Sequence, residues 1–129
     1  MEVIAKTKFA KISCRKARYL RNVVINQEVE TAMKTLDNIP SKAAIIMKKL
    51  IKSALSNAKQ KNPDQKSWYI KNLLIDEGPR MKRLRAASMG RAVVIHKKFS
   101  HFTVILKEGP ESQIIQRKTY GTKGKSNRI

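Results

Sequence analysis

Hydrophobic residues recur at three- and four-residue spacing in three segments, which predicts three helices. We expect helices over Cys14–Ile25, Glu28–Leu36 and Lys42–Lys61, with Ser13 and Ser41 as N-caps of the first and third. One face of each helix is therefore predicted to pack. The expected buried residues are Ala17, Leu20 and Val24, with Tyr19 and Val23 flanking them, and then Ala43, Ile46, Met47, Leu50, Ala54 and Ala58.

Alternating and branched residues predict the strands. Val3–Ile12 alternates without a cleanly apolar face and is predicted to be an edge strand, and Trp68–Asp76 reads as a second strand. Asp76-Glu77-Gly78-Pro79 is typical of a turn that redirects this strand, because glycine and proline change the backbone direction. Three aromatic residues are expected in the core, namely Phe9, Trp68 and Phe102.

Two further extended segments, Arg80–Arg85 and Ala92–Leu106, flank the small residues of Ala86–Gly90 and predict a hairpin. Its distal part, residues 78–98, holds too few apolar residues for a core of its own. At a rise of ~3.3 Å per residue its reach is on the order of 30 Å. Since an isolated two-stranded ribbon is marginally stable in water, we expect a partner to order it.

These elements indicate an α/β fold of the α+β type, with three helices on a small antiparallel sheet, a projecting hairpin and a basic tail. A hydrophobic share of 41% is enough for one modest core. We therefore expect one domain over residues 1–108 and a flexible tail over residues 109–129, in which too few apolar residues stand to bury anything.

Charge narrows the choice of partner. The chain has 29 Lys and Arg against 9 Asp and Glu, a formal charge of +20. Self-repulsion of this size calls for an acidic partner, and nucleic acid fits better than an anionic membrane surface. The bases concentrate in two stretches without acids, between Val3 and Gln27 and between Gly78 and Lys107, so two positive surfaces are predicted.

Several classes of protein do not fit the sequence. Its longest apolar run, Ala43–Met47, is far shorter than the ~20 residues of a membrane helix, and the N-terminal residues show no signal or transit pattern. The single cysteine, Cys14, suits a reducing compartment. We expect a cytoplasmic location, with an organelle interior left open, and neither membrane association nor self-oligomerisation.

Catalytic groups are scattered. His96 and His101 are predicted on opposite faces of one strand, and Asp76 and Glu77 diverge on an extended segment, so neither pair forms a metal site. We therefore expect no enzyme, no cofactor and no metal. For each histidine, a surface or backbone-bonded role is at least as good an interpretation as an RNA contact.

Aromatic content separates the kinds of nucleic-acid binder. Only 5% of residues are aromatic, which argues against stacking on single-stranded bases and leaves recognition of phosphates and shape. A basic ribbon with small residues at its tip reaches between the phosphates of folded RNA. Arg83, Arg85 and Arg91 are the primary candidates for these contacts.

Five segments, in order and spacing, resemble the large-subunit ribosomal protein twenty-two family over about Met1 to Leu106. They are Ser13-Cys14-Arg15-Lys16-Ala17-Arg18, Lys42-Ala43-Ala44 through Ser53-Ala54-Leu55-Ser56-Asn57-Ala58, Asp76-Glu77-Gly78-Pro79-Arg80-Met81-Lys82-Arg83, Gly90-Arg91-Ala92 and Ser100-His101-Phe102-Thr103-Val104.

The resemblance implies a structural protein of the large ribosomal subunit that binds several domains of its rRNA, acts in assembly and lines the nascent-peptide exit tunnel with its hairpin. Its implied partners are this rRNA, neighbouring ribosomal proteins and the nascent peptide. The implied tunnel-lining tip is Arg85, Ala86, Ala87, Ser88, Met89 and Gly90. The implied rRNA contacts are Arg15, Lys16, Arg18, Lys82, Arg83, Arg85, Arg91, Lys97, Lys98 and His101.

A DNA-bending architectural protein is the alternative, since such proteins also carry basic β-ribbon arms. Those arms insert a proline or another apolar wedge between base steps, and Met89 is the only candidate wedge here. The ribosomal interpretation is therefore preferred.

Overall fold

The computed structural model describes residues 1–109 and contains three helices and a three-stranded sheet in that range. This confirms the predicted fold class. The predicted tail lies outside the described residues except for Gly109. The elements are β1 (Glu2–Ala10), α1 (Cys14–Val24), α2 (Val29–Asp37), α3 (Lys42–Lys61), β2 (Trp68–Ala86) and β3 (Ala92–Glu108), and α2 begins and ends one residue later than predicted.

The sheet is antiparallel throughout, in the order β1-β3-β2. β3 is therefore the central strand, and β1 is an edge strand as predicted. The three helices pack against one face of the sheet, where Trp68 and Phe102 are the largest fully buried side chains. These two aromatic core predictions are confirmed.

Helix α3 has the predicted bounds. Ser41 caps it by accepting a hydrogen bond at Oγ from the Ala43 N–H, with a donor–acceptor distance of 3.3 Å. At the other end the Asn62 N–H donates to the Ala58 carbonyl at 2.9 Å. Its buried face includes Ile51, which the helical pattern did not single out.

Helix α1 ends at Val24, one residue before the predicted Ile25, and differs from the prediction in two further details. Ser13 stands at the N-cap position but makes no side-chain capping bond, and Tyr19 is 70% exposed instead of buried. The helix is held at the free edge of β2 by arginines. Arg18 donates to the Ile75 carbonyl through Nε at 3.3 Å and through a terminal guanidinium nitrogen at 3.0 Å, and Arg21 donates to Asn72 Oδ1 at 3.0 Å.

The pattern of core-facing side chains in strand β1 shifts by one residue near the end of the strand. Val3 and Ala5 point into the core, and the register then shifts before Ala10, which is buried opposite Ser100. Phe9 lies in this bulge with φ at 57° and is 62% exposed. The prediction of Phe9 as a core residue was wrong, because the bulge reverses the side-chain alternation on which it depended.

The predicted turn at Gly78 and Pro79 was also wrong. β2 continues through these residues to Ala86, with a register shift between Glu77 and Arg80. A Cβ at Gly78 would lie 2.9 Å from the Phe99 carbonyl oxygen, so the close approach of the two strands requires glycine here. A bulge thus marks the passage from core to projection.

Beyond the bulge, β2 and β3 form a ribbon that ends with the pair Ala86 and Ala92. Every residue from 79 to 94 is exposed, as expected for a hairpin without its own core. The Ala87 N–H donates to the Arg91 carbonyl at 2.8 Å and closes the tip. Met89 and Gly90 lie within the tip at positive φ, 58° and 67°.

Candidate nucleic-acid interface

Cross-strand pairing divides the hairpin into two faces, because directly opposed residues share a face and successive residues alternate. The first face pairs Arg80 with Lys98, Lys82 with His96, Leu84 with Val94 and Ala86 with Ala92. The second pairs Met81 with Lys97, Arg83 with Ile95 and Arg85 with Val93.

The two faces differ in chemistry. On the second face each cation lies opposite an apolar residue, so Arg83 and Arg85 have no like-charged neighbour directly across the ribbon. On the first face the half nearest the core pairs Arg80 with Lys98, and like charges placed directly opposite are destabilising. The half nearest the tip is apolar, with Leu84 75% exposed and Val94 49% exposed.

A cleft of about 530 Å³ lies at the base of the hairpin and is called the basal cleft below. Three distant segments form it: the β1–α1 connection with the first turn of α1, the start of α3, and the basal part of β3. The lining residues are Lys11, Ile12, Ser13, Lys16, Pro40, Ser41, Lys42, His96, Lys97 and Lys98.

The basal cleft unites the two acid-free stretches. Lys11 and Lys16 come from the first stretch, and Lys97 and Lys98 come from the second. The two positive surfaces that the sequence predicts therefore meet at the hairpin base. Ser100 supports this arrangement, because its fully buried hydroxyl donates to the Ile12 carbonyl.

Arg15 and Arg18 lie on a neighbouring surface of α1. Together with Tyr19 and Asn22 they line a shallow hollow of about 490 Å³. Arg15 is exposed, whereas the guanidinium of Arg18 is engaged with the edge of β2. Arg18 therefore has a structural role that the sequence did not reveal.

His101 lies half-buried in β3, opposite Asp76 of β2. Its Nδ1 accepts a hydrogen bond from the Phe9 N–H at 3.1 Å, and its ring meets the Phe9 ring edge to face with centroids 5.1 Å apart. This agrees with the interpretation of a backbone-bonded histidine. His96, in contrast, is exposed on the hairpin.

The structure thus separates the predicted contacts into groups. Lys16, Lys97 and Lys98 meet in the basal cleft, Arg83 and Arg85 share the second hairpin face, and Lys82 lies on the first. Arg91 stands beside the tip, while Arg15, Arg18 and His101 lie outside both sets. Sequence reasoning did not propose Lys11 or Lys42 as contacts, and the signal for Lys42 was its place directly after the Ser41 cap.

Two carboxylates lie at the opposite end of the sheet, where strand β1 begins and strand β3 ends. A hydrogen bond from the Asn62 amide, and then the N-terminal ammonium, holds the pKa of Glu108 below its usual value. The pKa of Glu2 is lowered first by its hydrogen bond from Lys71 and further by that residue's charge. The ionised forms of both carboxyls are therefore favoured at this end of the sheet.

Within residues 1–109 no group of three or more His, Cys, Asp or Glu side chains is placed to hold a metal ion. No helix in this range is long and apolar enough to cross a membrane.

Comparison with known proteins gives consistent matches. The family model described as Ribosomal protein L22p/L17e matches residues 5–107. The large ribosomal subunit protein uL22 of Desulfotalea psychrophila is 45% identical over 109 residues, which cover 84% of this chain and 99% of that protein. The corresponding protein of Bdellovibrio bacteriovorus is 42% identical over 109 residues, with the same coverage of 84% and 99%.

A third relative, the large ribosomal subunit protein uL22 of Treponema denticola, is 42% identical over 106 residues, or 81% of this chain and 90% of that protein. These similarities do not favour the DNA-bending interpretation. The matched region spans the three helices, the sheet and the hairpin, and the chain belongs to the ribosomal protein L22p/L17e family, whose members are structural proteins and not enzymes.

Proposed function

We propose that this chain binds large-subunit rRNA through its hairpin and the surface at the hairpin base, lines the nascent-peptide exit tunnel with the hairpin tip and assists subunit assembly. As a member of its family it is a structural constituent of the large ribosomal subunit. The supporting observation is the projecting ribbon, in which residues 79–94 are all exposed and no acid occurs between Gly78 and Lys107.

The free ribbon lacks both a packed core and negative charge, which makes folded RNA a suitable partner. Without a core of its own, its strands depend on cross-strand hydrogen bonds and on whatever surrounds them. Cations that neutralise phosphates release counterions, which gives a strong, salt-dependent contribution to binding. Folded RNA therefore supplies both the packing and the negative charge that the free hairpin does not have.

The difference in chemistry between the two hairpin faces supports a different partner for each face. Arg83 and Arg85 on the second face bind rRNA, joined by Lys82, Arg91, Lys97 and Lys98 along the ribbon. The apolar distal part of the first face, with Leu84 and Val94, is left for the tunnel lumen and the nascent peptide. Arg15, Lys16, Arg18 and His101 extend the rRNA contacts around the base. The tip, residues 85–90, lies deepest.

The proposal extends to the rest of the chain. Residues 1–108 act as one rRNA-binding unit in the cytoplasmic ribosome, beside neighbouring ribosomal proteins. The tail over residues 109–129 lies on rRNA, since five basic residues stand there against the single acid Glu111. Deleting residues 116–129 should lower the salt concentration at which the chain leaves the subunit, and unchanged retention would contradict the tail's role.

Site-specific crosslinking tests the hairpin assignment. A photoreactive residue in place of Arg85 should crosslink to rRNA in assembled ribosomes, and one in place of Met89, 94% exposed at the tip, should also capture nascent chains. The same residue in place of Asp64, exposed after α3, is the control and should capture no nascent chain. Crosslinks to neither rRNA nor nascent chains from Arg85 and Met89 would overturn the proposal.

A further inference from the structure

We propose that the outer edge of β1, together with a hollow between β1 and α3, binds an extended acidic segment of another protein as a further strand of the sheet. The site is separate from the hairpin and goes beyond the proposed function, because its partner is protein and not rRNA. An open sheet edge, an apolar hollow beside it and unpaired lysines around both support the proposal.

The backbone of β1 has unpaired hydrogen-bonding groups along its outer edge. The Glu108 N–H donates to the Met1 carbonyl at 3.4 Å. Because hydrogen-bonded residues alternate along an antiparallel strand, every second residue of Val3–Thr7, beginning with the first, bonds to β3. The N–H and C=O groups of Ile4 and Lys6 therefore point away from β3, and within residues 1–109 no group bonds to them.

The opposite edge of the sheet is covered by the chain itself. The Asn26 N–H donates to the Ile70 carbonyl at 2.9 Å, and the Ile70 N–H donates to the Gln27 carbonyl at 3.0 Å. Arg18 donates to the Ile75 carbonyl farther along β2. Proteins cover or charge exposed sheet edges because an open edge pairs with other chains. In the part of the sheet that packs on the helices, β1 therefore has the more open of the two edges.

A hollow of about 440 Å³, called the β1–α3 hollow below, lies beside the open edge. Residues 7–11 line one side and α3 lines the other. Ala10 and Leu50 are buried there, and Ile46 packs half-buried against the core, so the hollow presents an apolar surface. In a strand added to β1, the side chain opposite Thr7 points towards the helices and therefore enters the hollow.

Lysines surround the edge and the hollow. Lys6, Lys8, Lys11 and Lys49 are exposed, and within residues 1–109 none of them forms an ion pair. No acid lines the hollow, and the single acid of β1, Glu2, lies at the far end of the strand in an ion pair of its own. An acidic strand gains these contacts, whereas a second copy of this chain, with its charge of +20, is repelled.

The combination of an open edge and an apolar hollow favours a peptide over RNA. A peptide strand supplies the alternating N–H and C=O groups that match the edge of β1. An apolar side chain gains free energy by entering the hollow, whereas a phosphate loses hydration there. Since acidic residues are repelled by rRNA, the partner is expected to reach β1 from a side that RNA does not cover.

Two variants at one position test strand addition. Lys6→Gln and Lys6→Pro remove the same charge, but only proline also removes the outward N–H, a loss that an edge strand tolerates. The probe is a synthetic peptide of about ten residues in which glutamates alternate with valines around a central phenylalanine. By fluorescence anisotropy with the full chain, Lys6→Pro should bind it about five- to ten-fold more weakly than Lys6→Gln. Equal binding by the two variants would overturn the proposal.

Amide hydrogen exchange on the parent chain gives a readout that depends on no substitution. Saturating peptide should slow the exchange of the Ile4 and Lys6 amides by about ten-fold or more. The amides of Ala5 and Thr7, which already bond to β3, should change less. Uniform protection along β1, or none, would contradict strand addition.

A matched pair of substitutions on α3 tests the β1–α3 hollow. Ser53 lines the hollow, and Ser56, exposed nearly one turn farther along the helix, does not. Ser53→Trp should fill the hollow and weaken peptide binding about five-fold or more, and Ser56→Trp should stay within about two-fold of the parent. Equal effects would overturn the assignment of the hollow.

Charge is tested by a pair of double variants. Lys8→Gln with Lys49→Gln should weaken peptide binding about three- to ten-fold at roughly 0.15 M salt, and the difference from the parent should nearly vanish at about 1 M. Lys34→Gln with Lys66→Gln removes the same charge from exposed positions outside the site and is the control. Equal losses in the two double variants would contradict the role of the lysines.

Other occupants of the edge are outcomes of the same measurements. Protection of the Ile4 and Lys6 amides by an rRNA fragment but not by the peptide would assign the edge to RNA. A dimer that forms with rising concentration and that Lys6→Pro abolishes would assign it to a second copy. Either result overturns the proposal and leaves the proposed function standing, because the crosslinks expected from Arg85 and Met89 do not involve β1.

Discussion

The Phe9 N–H donates to Nδ1 of His101 at 3.1 Å, and the two rings meet edge to face at an interplanar angle of 88°. This contact joins the bulged end of an edge strand to the central strand just below the hairpin. It gives a half-buried histidine in a predicted RNA-binding segment a structural partner, and with Nδ1 as the acceptor the ring proton belongs on Nε2.

Replacing His101 with Ala should therefore destabilise the protein itself. The loss of one hydrogen bond and one aromatic contact should lower the free energy of unfolding by about 1 to 2.5 kcal/mol. Urea unfolding measures this change. His96→Ala is the control, because His96 is exposed on the hairpin and its loss should change the free energy by less than about 0.5 kcal/mol. Equal effects of the two substitutions would contradict the structural role of His101.

Gly78→Ala should destabilise the junction between core and hairpin. The new Cβ would lie 2.9 Å from the Phe99 carbonyl oxygen, and separating the two strands should cost about 1 to 3 kcal/mol of unfolding free energy. At Gly90 no atom lies within 4 Å of the added Cβ, and φ is +67°. Gly90→Ala should strain only the tip, which has no core, so its urea midpoint should remain close to that of the parent. A larger shift for Gly90→Ala than for Gly78→Ala would refute this assignment.

Acid should weaken the contact between Asn62 and Glu108. Because the folded-state pKa of Glu108 lies below the ordinary value of 4.5 for a glutamate carboxyl, its contribution to stability is complete above that pH and is lost as the pH falls through the folded-state pKa. Asn62→Ala should therefore lower the urea midpoint at about pH 7, and the difference from the parent should narrow towards about pH 2.5.

Asp64→Asn is the control for this pH dependence. Asp64 is exposed in the loop after α3, close in sequence to Asn62. Its substitution should leave the difference from the parent small across the same pH range. A constant deficit of Asn62→Ala at every pH would show that the loss comes from packing and not from the carboxylate.

The two hairpin faces should respond differently to substitution. Replacing Arg83 and Arg85 with Gln should weaken binding to large-subunit rRNA and reduce the salt slope by about 2, since each lost phosphate contact removes about 0.9. Replacing Leu84 and Val94 with Thr on the opposite face should leave the slope unchanged. Filter binding at several salt concentrations measures both, and equal slopes for the two double variants would contradict the division of the faces.

The sequence predicted the helices better than the strand details. Helix α3 was predicted closely, from Lys42 to about Lys61, because its periodic apolar face, the Ser41 cap and Pro63 after its end all agree. The exposure of Phe9 was not predictable from alternation, since a bulge is set by the partner strand and reverses the faces beyond it. Gly78 and Pro79 likewise predicted a turn, whereas the structure has a register shift at these residues within a continuous strand.

The candidate site shows the same limit. The basic residues of the hairpin could be predicted as RNA contacts because they lie on one continuous ribbon. The basal cleft was not, because Lys11, Lys42 and Lys97 come from segments far apart in the sequence that meet only through packing. The sequence does not distinguish Arg18 from Arg15. In the structure Arg18 donates to the Ile75 carbonyl at the edge of β2, whereas Arg15 is exposed.

The central strand β3 runs without interruption from Glu108 in the sheet to Ala92 at the hairpin tip. A slip of one residue along β2 would move Phe102, Val104 and Leu106 from the core to solvent, so the hydrophobic core forbids it. The number of residues between the bulge and Ala86 therefore fixes how far the tip projects from the sheet. Removing one opposed pair of hairpin residues should shorten this projection by about 3.3 Å without altering the core.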